Sequence, residues 1–225
     1  LWMKTADHAG LAAMAYAPAV MRTEVDGVPV VIQAETLYPF EDTVHFLIRP
    51  EKDVRFTMYL RDPEWSAKTT VDAKGVRPVR KDGFLALSKT WKPGDRIVLK
   101  LDPGIERRTL PNGGIYWKRG PLVYAQPIRA DAMQPTKEYA FGGFADYDVF
   151  PARSDQARYA VDKGCGGFAF SAGNPPDGNN PWETADLKLA GRLFNQATET
   201  VESVELVPVG TTLLRCTAFA DMAPL

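Results

Sequence analysis

The sequence has few of the residues that most often carry chemistry. Its 225 residues include only two cysteines and two histidines. Cys165 and Cys216 lie far apart, which is no disulfide framework for a chain of this size. Free cysteine commonly packs as a small hydrophobe, and the sequence leaves open whether the two pair. A zinc cluster is out of reach within the chain, because only His8 and His45 could join them. An excess of charge of either sign is also missing. The net charge is -1, and binding to nucleic acid or to an anionic membrane needs a basic face that this balance does not supply. No apolar run approaches the roughly 20 residues of a membrane span. No basic segment leads into an apolar one, so no signal peptide is predicted and a soluble protein is expected, its location unread. The chain opens on Leu1 rather than Met, which points to a piece of a longer protein.

What is present is a β-protein. Hydrophobic residues make up 45% and charged residues 24%, the balance of an ordinary folded domain. The length allows one large or two small β domains. Val54, Phe56, Met58 and Leu60 alternate with Arg55, Thr57, Tyr59 and Arg61, the period of a half-buried strand. Thr43–Arg49 and Thr23–Gln33 read the same way, with Asp26-Gly27 as a turn pair. Gly83–Leu101 reads as two strands around Lys92-Pro93-Gly94-Asp95, where proline presets φ and glycine accepts the positive φ of a type II turn. Residues 1–10 look helical or irregular, and Leu11–Tyr16 strand-like. Further strands are expected at Leu122–Ala125, Arg158–Val161 and Gly167–Ser171. Residues 126–157 look irregular, Leu187–Leu193 ambiguous, and Val204–Val209 with Thr211–Phe219 a closing hairpin. Neither a repeat nor a sustained helical period appears. Short strands with Gly, Pro and Asp turns at intervals of about 8–12 residues predict an all-β fold, a sandwich or a barrel.

Side chains with a possible role divide by context. Trp65 and Trp91 sit beside strand ends, where a large ring usually closes a core. Trp117 and Trp182 sit among polar loop residues and are the candidates for stacking on a sugar face. Glycoside hydrolysis usually needs two carboxyl groups about 5–9 Å apart. Asp62 with Glu64, or Asp95 beside Trp91, could be put forward, but Asp62 and Asp95 read as turn residues bonded to nearby amides. His45 reads as solvent-facing or bonded to a neighbour, and Arg107-Arg108 as a solvated edge. Gly142-Gly143 and Gly164–Gly167 lack the strand–loop–helix setting of a phosphate loop.

A series of motifs then resembles one family in order along the chain. They are Gly10-Leu11 to Tyr16-Ala17-Pro18, Glu35-Thr36-Leu37-Tyr38-Pro39-Phe40, Leu60-Arg61-Asp62-Pro63-Glu64-Trp65, Gly83-Phe84-Leu85 with Trp91 and Gly94-Asp95, Arg119-Gly120-Pro121-Leu122-Val123-Tyr124, Val204 to Gly210, and Leu214-Arg215. Together they resemble the C-terminal β-sandwich region of β-L-arabinofuranosidase-type enzymes, glycoside hydrolase family 127. Asp62 stands where the family has an aliphatic residue, and Asp72-Ala73-Lys74-Gly75 replaces its usual Val-Asn-Gly turn. The likeness is weakest between residues 126 and 200.

The resemblance implies an all-β, antiparallel, jelly-roll-like β-sandwich fold in two sandwich regions, 11–107 and 108–225, with 204–219 returning to the first and residues 1–10 trailing from a helical barrel. Catalysis in the family belongs to that barrel, where a zinc-held cysteine attacks the sugar. Neither Cys165 nor Cys216 matches a family ligand, so no catalytic residue and no cofactor is expected here. The expected role is a non-catalytic region of a bacterial glycoside hydrolase. Its partners would be its own catalytic barrel and a second copy in a homodimer, with no nucleic acid and no membrane. The alternatives are a free-standing carbohydrate-binding module using Trp117 and Trp182, and a pure assembly domain.

Overall fold

The computed structural model of the chain describes residues 1–5, 10–143, 145–152, 158–177 and 180–222. It is all-β and divides into two compact units, Leu1–Gly104 and Ile105–Leu225.

The first unit is an antiparallel sandwich of ten strands: β1 (Trp2–Lys4), β2 (Gly10–Ala13), β3 (Ala19–Val25), β4 (Val28–Glu35), β5 (Thr43–Pro50), β6 (Val54–Arg61), β7 (Thr70–Ala73), β8 (Val79–Lys81), β9 (Phe84–Trp91) and β10 (Asp95–Lys100). One sheet has the order β1-β2-β6-β9-β8, the other β3-β4-β5-β10-β7. Among the described strands of this unit, only β2 and β6 run parallel. Successive side chains of a strand point to opposite faces, so each strand sends one apolar row inward. β6 contributes Val54, Phe56, Met58 and Leu60, all buried, as the alternation predicts. Val30, Ile32, Val44, Phe46, Ile48, Ile97 and Leu99 come from the facing sheet. Burying each such side chain contributes about 1.5–3 kcal/mol. Trp91 is fully buried, and its indole N–H donates to the Phe56 carbonyl at 3.1 Å, which removes the cost of burying that donor.

Two expectations are corrected in this unit. Trp2–Lys4 is a strand paired with Gly10–Ala13, not helical or irregular chain. The stretch from Gly83 to Leu101 is not a hairpin: β9 pairs with β6 and β8, and β10 pairs with β5 and β7. The turn has the expected chemistry, with Gly94 at φ 92° and the Asp95 amide donating to the Lys92 carbonyl at 3.1 Å. Both flanking strands carry buried rows, Leu85, Leu87 and Trp91 on one and Ile97 and Leu99 on the other. The two strands are interior strands of different sheets, so the chain crosses from one layer to the other. The earlier turn Asp26-Gly27 does close a hairpin, joining β3 to β4 with both residues at positive φ.

The second unit contains β11 (Ile105–Thr109), β12 (Ile115–Arg119), β13 (Leu122–Ile128), β14 (Ala130–Glu138), β15 (Ala145–Pro151), β16 (Tyr159–Val161), β17 (Phe168–Ala172), the short helix α1 (Pro181–Thr184), β18 (Leu187–Asn195), β19 (Thr200–Pro208), β20 (Leu214–Cys216) and β21 (Ala220–Asp221). Its main sheet runs β11-β12-β13-β19-β18-β16-β21, with β17 beside β18 and β20 beside β13. The segment leading into β21 turns back onto β12, leaving β11 outside the ring. Ile115 and Phe219 exchange both backbone hydrogen bonds at 2.8 Å, and the next residues pair in parallel with β16. The closed sheet encloses Ile115, Trp117, Tyr124, Leu189, Leu193, Leu206 and Phe219, all essentially inaccessible.

Three further readings are corrected here. β19 and β20 are not a closing hairpin: both pair with β13, on successive stretches of that strand. The ambiguous stretch 187–193 lies in a nine-residue strand, Leu187–Asn195, paired with β19 from Leu189 onward and with β17 on its other side. Within 126–157, β14 and β15 form a two-stranded ribbon. Among the described residues no helix is long and apolar enough to cross a membrane.

Candidate functional site

In the first unit, four of the singled-out segments converge on one cleft of about 440 Å³, lined by Arg61, Asp62, Glu64, Trp65, Asp82 and Phe84, and on a smaller one beside it that reaches Tyr16 and Tyr38. The convergence follows from the topology. β2 and β6 run parallel, so Tyr16 and the Leu60–Trp65 segment leave the sheet at the same end. Arg61 pairs with Phe84 across β6 and β9, which brings Gly83 alongside. The Asp62 amide donates to the Gly83 carbonyl at 2.8 Å, and the Ser66 amide to the Pro63 carbonyl at 2.9 Å. The Ser66 hydroxyl is buried and accepts from Thr69 at 2.7 Å and from the Asp102 amide at 2.9 Å, anchoring the far end of the segment.

Two phenols form the floor. Tyr16 is buried, donates its hydroxyl to the Arg61 carbonyl, and meets the Tyr38 ring edge-on at 5.9 Å. Burial pushes its pKa well up, the neighbouring Tyr38 adds to this, and Arg61 opposes it. Burial likewise raises Tyr38 against the pull of Arg61, with Asp42 adding to the rise. Both therefore stay protonated donors through the neutral range. Asp62 is held in an ion pair by Arg80, while Glu64 is exposed. The cleft thus offers a guanidinium, carboxylates and two ring edges for holding a polar ligand.

In the second unit, the other motifs gather at a groove of about 470 Å³ lined by Pro121, Val123, Trp182, Gly210, Arg215 and Thr217. Trp182 follows Pro181, which opens helix α1, and its ring is half-buried against Gly210. Trp117, the other sugar-stacking candidate, is 1% exposed. Its ring packs on Phe168 at 4.6 Å and Phe219 at 5.7 Å. A ring enclosed in this way has no face for a ligand, so the stacking role expected of Trp117 is corrected to core packing. The two tryptophans are not brought into one site: one fills the core and the other lines a surface groove.

Other candidates resolve locally. Trp91 is core, and Trp65 packs partly buried against it. Asp95 accepts from the Lys92 amide at 2.9 Å and pairs with Lys89 at 2.9 Å. Desolvation works against its carboxylate, but Lys89 and the Lys92 amide outweigh it and hold the group below the usual carboxylate range. His45 is exposed on β5. Arg107 pairs with Asp221 at 2.8 Å, and Arg108 with Glu106. Cys165 and Cys216 are both free thiols, and burial pushes the Cys216 thiol up. His8 lies outside the described residues. Among the described residues, no three His, Cys, Asp or Glu side chains form a metal-ligating group.

Residues 10–103, which lie within the first unit, match the family model described as beta-L-arabinofuranosidase, GH127 middle domain. The relation to GH127 is carried by that match, which describes the first unit as a middle domain, where the expectation was a C-terminal region. The chain is similar in fold to a solved GH127 beta-L-arabinofuranosidase from Geobacillus stearothermophilus T6, at 20% identity and a TM-score of 0.70, over 98% of this chain and 34% of that one. It is also similar to a solved glycoside hydrolase, at 17% identity and TM-score 0.64 over 94% and 36% of the two chains. A GH127 beta-arabinofuranosidase matches at 18% identity and TM-score 0.60 over 90% and 32%. The chain therefore spans about a third of the length of these structures. No curated protein matches it in sequence.

Proposed function

We propose that the chain is a non-catalytic β-sandwich region of a glycoside hydrolase resembling β-L-arabinofuranosidases, and that it supports a catalytic barrel carried elsewhere in a longer protein or forms the contact between two copies. The observation that carries this reading is the coverage: nearly the whole chain superposes on one third of a solved GH127 enzyme, and its first unit matches a GH127 middle-domain model. The resources of the chain agree with it. The first-unit cleft pairs its more buried carboxylate with Arg80. The chemistry of hydrolysis, and any zinc, would belong to the barrel. The gene around the codon for Leu1 tests this directly. A reading frame that extends upstream into a helical barrel supports the reading, and a start codon just before Leu1 overturns it.

A second reading, a carbohydrate-binding module, is favoured by the half-buried Trp182 beside Arg215 in the second-unit groove. An aromatic face next to a guanidinium suits a sugar ring and its hydroxyls. Calorimetry with arabino-oligosaccharides at millimolar concentration tests it. Heat that Trp182→Ala abolishes supports it, and no heat in the unaltered chain removes it.

A further inference from the structure

The first-unit cleft holds charges of both signs that do not pair with one another. Arg61 ends β6, Glu64 follows on the segment that leaves it, and Asp82 lies in the turn into β9 with φ at 51°. All three are exposed and line the cleft. Among the described residues none of the three forms an ion pair. Asp62 is the lining carboxylate that does, with Arg80 of β8. Among the described residues the Arg61 guanidinium hydrogen-bonds only to the Met14 carbonyl, at 3.5 Å. Open donors and open acceptors therefore face one cavity. Its 440 Å³ falls in the range of small-ligand sites. A second lobe of about 220 Å³, with Tyr16 and Tyr38, shares Met14, Arg61, Pro63 and Trp65 with the first.

The charge pattern selects the ligand. An anion would satisfy Arg61 but meet Glu64 and Asp82, and a cation would satisfy those carboxylates but meet Arg61; like charges brought together are destabilising. A hydroxyl group both donates and accepts. Adjacent hydroxyls on one ring can accept from the Arg61 fork and from Tyr38, and donate to Glu64 or Asp82, without bringing any net charge into the cleft. Trp65 lines both lobes and packs against the core, and Phe84 lines the larger lobe. A sugar ring has an apolar C–H face that suits such aromatic surface. We propose that this cleft binds a neutral sugar with vicinal hydroxyls, which Arg61 and the carboxylates of Glu64 and Asp82 share between them while Trp65 takes the ring face. The proposal concerns the first unit's own residues and does not rest on the hydrolase reading or on the groove of Trp182.

Fluorine NMR of the full product of the gene, labelled with 5-fluorotryptophan, tests the proposal. The Trp65 signal is identified by its absence in Trp65→Phe. L-Arabinose and D-galactose at millimolar concentration should each move that signal. D-Galacturonate, the galactose ring with a carboxylate, should bind about tenfold more weakly than D-galactose. Arg61→Gln should weaken D-galactose by about tenfold and leave the fold in place, because the bond from Tyr16 goes to the Arg61 backbone carbonyl. Glu64→Ala, at an exposed residue, should weaken it likewise. No movement of the Trp65 signal with either neutral sugar overturns the proposal, as does movement that survives both substitutions. Galacturonate binding as tightly as galactose overturns it in favour of an anion site, and glycine doing so overturns it in favour of a site for zwitterions. None of these results bears on where the hydrolytic chemistry lies, so the hydrolase reading stands or falls separately.

Discussion

Gly210 lies so close beneath the indole of Trp182 that a Cβ at that position would stand 2.5 Å from the ring. The glycine is therefore a condition of where the ring sits. Gly210→Ala should push Trp182 off its seat. Expected outcomes are a red shift of the Trp182 emission, isolated by difference against Trp182→Phe, and a stability loss of about 1–2 kcal/mol in urea. An unchanged spectrum would mean that the ring is not held there.

Trp117 should behave in the opposite way. With its ring enclosed by Phe168 and Phe219, Trp117→Ala should cost about 3–5 kcal/mol, read from urea denaturation. A loss below about 1 kcal/mol would contradict its place in the core.

Tyr16 makes the fold sensitive to alkali. A group whose pKa is raised by folding contributes stability that is complete below its unfolded pKa and is lost as pH rises beyond it. For Tyr16, raised chiefly by burial, that loss begins near the ordinary tyrosine pKa of about 10. Tyr16→Phe should cost about 1 kcal/mol at neutral pH, from the lost bond to the Arg61 carbonyl. The gap between variant and parent should close as the pH rises above about 10, followed by melting temperature in steps of pH.

Asp95 acts at the acid end. Its pKa is lowered in the fold, so its contribution is present above the unfolded value of about 3.9 and fades as pH falls through the folded value. Asp95→Asn should destabilise by no more than about 1 kcal/mol at pH 7, since the Lys89 pair is partly exposed. The difference should vanish in strong acid. A constant difference across that range would assign the effect to packing.

The contrast among strands shows what the sequence could disclose. β6 was readable to the residue, because its apolar and polar positions alternate without a break. β14 was not, because all its residues face solvent and no burial imposes a period on it. The turn at Pro93-Gly94 was readable, but its partners were not: the same turn chemistry serves a hairpin and a crossing between layers, and only the buried rows on both flanking strands decide. Ile115 and Trp117 alternate inward on β12, a signal masked by the polar residues Tyr116, Lys118 and Arg119. The first-unit cleft assembles segments some seventy residues apart, Tyr16 to Phe84, and no local pattern could announce that.

The central claim is that this region carries no hydrolytic chemistry of its own. The most direct measurement is release of 4-nitrophenol from its β-L-arabinofuranoside, with the 225-residue chain and the full product of its gene assayed side by side. The account predicts release by the full product and none by the chain alone. Turnover by the isolated chain would contradict it.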